Sequence, residues 1–130
     1  MPTFSVGALL LALGVLLGAF GAHGLEGQVT PERLDTWNTA ALYHLVNSAG
    51  LVSLGVLNEV SPARVRRGAL HLLTAGILIF SGSLYALVLL DIGWLGAITP
   101  FGGISLVIAW LWIGLEGFRG KSTASSGSTQ

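Results

Sequence analysis

The sequence predicts an all-α integral membrane protein: four transmembrane helices in an antiparallel bundle, with both termini cytoplasmic. Three observations carry that prediction. Only 9% of the 130 residues are charged, against roughly 25% in a soluble domain, so charges are too few to clothe a water-facing surface. Four apolar stretches, Phe4–Ala22, Thr39–Leu57, Gly68–Leu90 and Pro100–Phe118, come close to or exceed the roughly 20 residues that cross a ~30 Å hydrocarbon core. Lys and Arg are divided unevenly between the connecting segments. With four crossings, the N-terminus, the 58–67 loop and the C-terminal tail share one side and hold Arg64, Arg66, Arg67, Arg119 and Lys121, whereas the other side holds only Arg33. The basic side is the cytoplasmic one.

In lipid every backbone polar group needs an internal partner, so each stretch is expected to be helical. Residues 1–120 then form one transmembrane domain, with helices over about 4–23, 31–57, 62–90 and 100–118, and the small polar tail 121–130 is expected to be disordered. The first stretch reads as a retained helix rather than a cleaved signal, because no Lys or Arg precedes it and its apolar run exceeds an ordinary signal core. At roughly 100° per residue, Gly7, Gly14, Gly18 and Gly21 fall within about 60° of one another. Such a stripe lets another helix approach closely in a solvent that offers little hydrophobic drive for association. The stretch ends in "GAFGAHGLEGQ", where His23 stands at the helix end and Gly24 and Gly27 turn the chain.

The second helix is expected to open at Pro31 with Thr30 as its cap. It places Trp37, Ala41, His44, Ser48 and Gly55 on one face, with Ala40 and Asn47 at the edge. The third is expected to open at Pro62 after Ser61, and presents His71, Thr74, Ala75, Ser81, Gly82 and Tyr85 on one face. The fourth opens at Pro100 after Thr99. It puts Gly103, Trp110, Gly114 and Gly117 on one side, and Ser105, Ala109, Trp112 and Glu116 on the other. Glu116 is read as an interfacial charge near Arg119. Trp37 and Trp94 suit the outer interfacial belt. Gly7, Gly14, Gly18, Gly21, Gly82, Gly103 and Gly114 are the expected helix-packing glycines.

Polar groups in hydrocarbon are costly, so the polar faces should turn inward. By depth they gather in the outer half, where His23, Trp37, His44, Asn47, Ser81, Ser83, Tyr85 and Thr99 form a candidate polar cluster. Metal ligation is not expected. His71 lies roughly 6 Å inside the inner boundary and His44 roughly 10 Å below the outer one, which keeps them more than ~10 Å apart across a ~30 Å core. His23 and His44 could approach each other, but a histidine at a helix end is more often a hydrogen-bonded structural group. There is no cysteine for a thiolate site. Ser81 and Ser83 have no local carboxylate partner, and no hydrolase motif surrounds them. No catalytic residue and no cofactor is assigned. The net charge is zero, which gives no case for a nucleic-acid partner.

The motifs "GAFGAHGL", "WNTAALYHLVNSAG", "ILIFSGSLY" and "WLGAITPFGG", in this order and spacing, resemble the domain of unknown function 423 family of transmembrane protein 256-like small four-helix membrane proteins. The resemblance covers about residues 5–118. The matching positions are Gly18, Ala19, Phe20, Gly21, Ala22 and His23; Trp37, Thr39 and Tyr43; Phe80, Ser81, Gly82, Ser83, Leu84 and Tyr85; and Thr99, Pro100, Gly102 and Gly103. It implies a small protein of the bacterial inner membrane or of mitochondrial type, and brings no activity or substrate with it. One departure stands out. The family pattern has Gln after the second-helix tyrosine and His three residues later, where this chain has His44 and Asn47. Polar character persists while the imidazole moves by nearly one turn, which fits a hydrogen-bond network better than a fixed ligand or proton donor.

The function expected from these features is that of a non-catalytic subunit, assembly aid or membrane-organising component. It would pack through its glycine faces, in contact with membrane lipids and with a second copy or a larger complex. Two alternatives use the polar cluster: a small oligomeric channel or transporter, and a lipid or quinone site lined by Trp37, Tyr43 and Tyr85.

Overall fold

A computed structural model describes residues 2–62 and 64–125. They form four helices: α1 Pro2–Phe20, α2 Pro31–Val60, α3 Arg67–Leu90 and α4 Thr99–Ser125. A turn of π-helix, Gly21–Leu25, extends α1, and a 3-10 turn, Gly93–Ala97, precedes α4. All four helices are long and apolar enough to cross a membrane.

The helix boundaries follow local chemistry. Thr30 caps α2, its Oγ1 accepting from the Arg33 N–H at 3.3 Å, with Pro31 in the first turn. At the far end the Ser61 N–H bonds the Leu57 carbonyl at 2.9 Å. Pro62 therefore ends α2 rather than opening α3, which corrects the expected start of the third helix from 62 to Arg67. Asn58 explains the difference. Its Nδ2 donates to the Val65 carbonyl at 3.1 Å and its Oδ1 accepts from the Val65 N–H at 3.0 Å. Both backbone groups of Val65 are thereby held against the end of α2 and cannot join a helical ladder.

α3 stops at Asp91, which takes the left-handed conformation at φ 56°, one that Asp tolerates better than most residues. Gly27 turns the chain after the π turn at φ 75°, where a side chain would be strained. α4 opens at Thr99 itself and runs to Ser125, past the expected end at 118 and into the segment expected to be disordered. The rest of that segment, 126–130, lies outside the described residues.

The main helix contacts follow chain order: α1 on α2, α2 on α3, α3 on α4. α2 and α3 are the inner members, and α1 and α4 flank them, with 17% of each flanking span buried against 44% for α2 and 39% for α3. α1 meets α2 at Gly7, Gly14 and Gly21. A Cβ there would stand 2.8 Å from the Val52 backbone, 2.9 Å from Leu45 and 2.5 Å from Trp37, respectively. Gly55 of α2 receives Phe4 in turn. α3 meets α4 where Gly76 faces Leu106 and Gly102 faces the backbone of Phe80.

Contacts also mark the two ends of this row. At one end Arg33 of α2 pairs with Asp91 and donates to the Leu87 carbonyl at 3.0 Å. At the other, Glu116 of α4 accepts from the Arg66 N–H at 3.0 Å and from Trp112 Nε1 at 2.9 Å. Glu116, expected as an interfacial charge near Arg119, is engaged by Arg66, which stands at the N-cap position of α3. A carboxylate there also suits the positive end of the helix dipole.

Two apolar cores fill the interior. Leu25, Trp37, Ala40, Ala41, Tyr85 and Val88 form one, toward the Arg33–Asp91 end. Leu51, Leu54, Val65, Ala69, Leu70, Leu73, Ile77, Leu106 and Ala109 form the other.

Candidate functional site

Between these two cores lies a layer of buried polar side chains: His44, Asn47 and Ser48 from α2, and Ser81 and Ser83 from α3. The helical period puts Trp37, Ala40, His44, Asn47 and Ser48 on the face of α2 that turns inward. Most of the polar groups tie one helix to another. Trp37, fully buried, donates from Nε1 to the Leu17 carbonyl of α1 at 2.8 Å. Its indole lies between Phe20 (centroids 5.6 Å apart) and Tyr85 (4.5 Å). The close approach of α1 here depends on Gly21, because any side chain would strike the indole. Tyr85 Oη lies 3.2 Å from His44 Nδ1. Ser81 Oγ donates to the Ala40 carbonyl of α2 at 2.9 Å. Ser83 Oγ and Thr99 Oγ1 share a hydrogen bond of 2.7 Å, linking α3 to the start of α4.

Asn47 makes a second branch. Its Nδ2 donates to the Tyr43 carbonyl at 2.8 Å, and its Oδ1 accepts from Trp110 Nε1 at 2.8 Å. Trp110 thus reaches from α4 to α2, its ring lying over Gly50. Two buried atoms, His44 Nε2 and Ser48 Oγ, have no hydrogen-bond partner among the described residues.

Seven of the eight residues of the sequence-predicted cluster take part in helix-to-helix hydrogen bonds, in three separate groups. Trp37, His44, Ser81 and Tyr85 join α1, α2 and α3; Ser83 and Thr99 join α3 and α4; Asn47 joins α2 and α4. His23 is the exception, since it is exposed on the π turn. At roughly 100° per residue His23 falls on the side of α1 opposite the Gly7, Gly14 and Gly21 face that meets α2, so sharing the depth of the cluster does not bring it in.

The predicted packing glycines also divide. Gly7, Gly14 and Gly21 meet α2 closely, and a Cβ on Gly103 would lie 3.5 Å from the Phe80 ring, an ordinary contact. Gly18, Gly82 and Gly114 meet nothing within 4 Å. They face outward, so they are not packing positions within the chain.

Sequence reasoning missed three participants: Trp110 as the partner of Asn47, Asn58 as the clamp on Val65, and Arg66 as the partner of Glu116. Each pairing is tertiary, and no local spacing signals it.

Chemically, the layer offers hydrogen bonds between helices. The Ser81 hydroxyl is engaged by a backbone carbonyl and that of Ser83 by Thr99 and Phe80. The histidines stand apart: His23 is exposed on the π turn, His44 is buried, and His71 is exposed four residues into α3 from Arg67.

No solved structure matches the chain. A family profile described as "Protein of unknown function (DUF423)" matches residues 17–103. The chain is 44% identical to the UPF0382 membrane protein YwdK of Bacillus subtilis over 109 residues, 83% of this chain and 89% of the relative. It is 40% identical to the UPF0382 membrane protein SAB0533 of Staphylococcus aureus over 114 residues, 88% of this chain and 93% of the relative. The matched segment holds the whole polar layer except Trp110, and the relatives align over most of both chains, so this chain belongs to the DUF423 family of membrane proteins.

Proposed function

We propose that the chain crosses the bacterial cytoplasmic membrane four times as an antiparallel bundle with both termini inside. In this reading it serves as a non-catalytic packing component, a subunit or assembly aid for a second copy or a larger membrane complex. The observation that carries the reading is how the polar layer is used. Trp37, Ser81, Ser83, Tyr85 and Asn47 all spend hydrogen bonds on joining helices. A group committed this way holds structure, and freeing it for a reacting molecule would orphan its partner in a medium with no water to replace it. The flanking helices supply the other half of the role. Gly18 on α1 and Gly114 on α4 are open to the outside, and small residues on a membrane helix let a neighbouring helix approach. The orientation rests on the five-to-one division of Lys and Arg.

The chain has no cysteine, so single cysteines introduced at will carry no background. Cysteines at Gln28 and Ser61 report orientation. The first is expected to react with an impermeant maleimide added to intact cells, and the second only after lysis. Cysteines at Gly18 and Gly114 are expected to crosslink in native membranes, to a second copy or to a constant larger partner, whereas one at the buried Ala40 is not. A monodisperse monomer in several detergents and in native lipid, with no crosslink from either glycine position, would sink the packing role.

One observation favours a second reading, a lipid or quinone site. α2 and α4 leave a groove of about 650 Å³ between them, lined by Tyr43, Asn47, Phe80, Pro100, Gly103 and Trp110 among others. Its wall is apolar with an amide at one point, as a long apolar molecule with a polar head requires. An organic extract of the purified protein, assayed for quinone in stoichiometric amount, tests it directly.

A further inference from the structure

The opposite end of the molecule holds a feature that the packing role does not use. A groove of about 380 Å³ runs between the start of α1 and the first turns of α3, lined by Thr3, Val6, Arg67, Leu70, His71 and Thr74. Arg67, His71 and Thr74 stand one turn apart on one face of α3, and Arg67 and His71 are exposed. The arginines at the two ends differ in employment. Arg33 is held by Asp91 and Arg66 by Glu116, whereas Arg67 makes no ion pair among the described residues. Thr74 donates to the Leu70 carbonyl at 2.9 Å, so the donors left for a ligand are the Arg67 guanidinium, the His71 ring and the Thr3 hydroxyl.

The surrounding charge is predominantly basic. The segments at this end carry Arg64, Arg66, Arg67, Arg119 and Lys121 against Glu59 and Glu116. The segments at the Arg33 end carry Glu26, Glu32, Asp35 and Asp91 against that one arginine. The depth of the groove narrows the ligand further. The apolar spans Thr3–Leu25 and Arg67–Leu90 both begin at it, which is the level of the lipid headgroups. Val6 and Leu70 supply an apolar wall beside the donors.

We infer that this groove binds the phosphodiester of an anionic glycerophospholipid. The Arg67 fork takes two phosphate oxygens, His71 and Thr3 donate to the others, and the first acyl methylenes lie on Val6 and Leu70. Basic pockets between membrane helices near the interface are suited to such headgroups. The site is independent of the packing role, and it holds for whichever leaflet this end meets.

Native mass spectrometry of the full chain in detergent, titrated with phosphatidylglycerol or phosphatidylcholine, tests it. Phosphatidylglycerol is expected to be retained in preference. Arg67→Gln should lower its retention about five-fold, His71→Ala should lower it in the same direction, and Arg64→Gln, outside the groove, should leave it unchanged. Helicity and elution volume establish that each variant is folded. If Arg67→Gln does not fold, His71→Ala alone decides, and undiminished retention in it overturns the site. Equal retention of the two lipids overturns it as well. So does an equal loss in Arg64→Gln, which would mean a diffuse surface field, or displacement of the lipid by soluble glycerol phosphate, which would mean a free phosphate site.

Discussion

The seam between α2 and α3 is built in two ways along its length. Toward the Arg33–Asp91 end it is directional: Trp37 against Tyr85, Tyr85 on His44, Ser81 on the Ala40 carbonyl. Toward the Arg66–Glu116 end the helix faces themselves are apolar, with Leu51 and Leu54 of α2 and Ala69, Leu70, Leu73 and Ile77 of α3 in one core and the Asn58 clamp on Val65 in the loop beyond them. In water the second half would be the stronger. In lipid, hydrocarbon outside a helix is as apolar as leucine inside it, so the apolar half gains only what its packing adds over lipid contact. It would also tolerate a slip of one turn, trading one leucine for another. The directional half would not, because a slip leaves the Ser81 hydroxyl and the Tyr85–His44 pair without partners. The comparison assigns register to one half and bulk packing to the other.

Trp37 is where the two roles coincide, since it is the largest fully buried side chain and also a hydrogen-bond donor to α1. Trp37→Ala is therefore expected to produce the largest loss, about 4 kcal/mol, against about 2 kcal/mol for Leu73→Ala in the apolar half. Both are measured by titrating helicity with dodecyl sulfate in mixed micelles. The reverse order would mean that the apolar half dominates and that the division of labour is wrong.

The glycines sharpen the comparison at the flanking helices. Gly102 lies against the Phe80 backbone, which cannot move aside as a side chain could. Gly102→Ala should cost about 1–3 kcal/mol by overpacking α4 against α3. Gly18→Ala meets open space and should stabilise the isolated chain by up to about 1 kcal/mol through helix propensity. The same Gly18 substitution should weaken crosslinking in native membranes if α1 has a partner there. A variant that gains stability and loses association would separate folding from the proposed role.

The pattern of what was legible follows from what a sequence can encode locally. Four spans, their inward faces and the polar residues on them follow from composition and the helical period, and Trp37, His44, Ser81, Ser83 and Tyr85 were placed in one region on those grounds. Partner choice is another matter. Periodicity says that Asn47 turns inward, but not that Trp110 will reach it across two helices. Ser61-Pro62 has the form of a helix start, and Asn58 overrides it by clamping Val65 from seven residues away. His23 was placed by depth alone, and the helical period sets it opposite the Gly7, Gly14 and Gly21 face that meets α2, so it stands exposed. Gly18 carried the same stripe signal as Gly14, yet one meets Leu45 and the other nothing within 4 Å. A stripe spans more of the helix surface than one neighbour covers.

The most discriminating change is a single hydroxyl. Tyr85→Phe removes one hydroxyl and nothing else, leaving the ring against Trp37. A hydrogen bond between membrane helices averages about 0.6 kcal/mol, with a maximum near 1.7 kcal/mol. This one should lie toward the upper part of that range, because its loss leaves both nitrogens of a buried His44 without a partner. His44→Leu alone should strand the Tyr85 hydroxyl in the same way. Removing both polar groups together strands neither, so the double variant should cost less than the sum of the two singles. The cycle is read in the same dodecyl sulfate titration. Strict additivity would show that the two groups do not act as a pair, and the directional half of the seam would then owe its register to Trp37 and Ser81 alone.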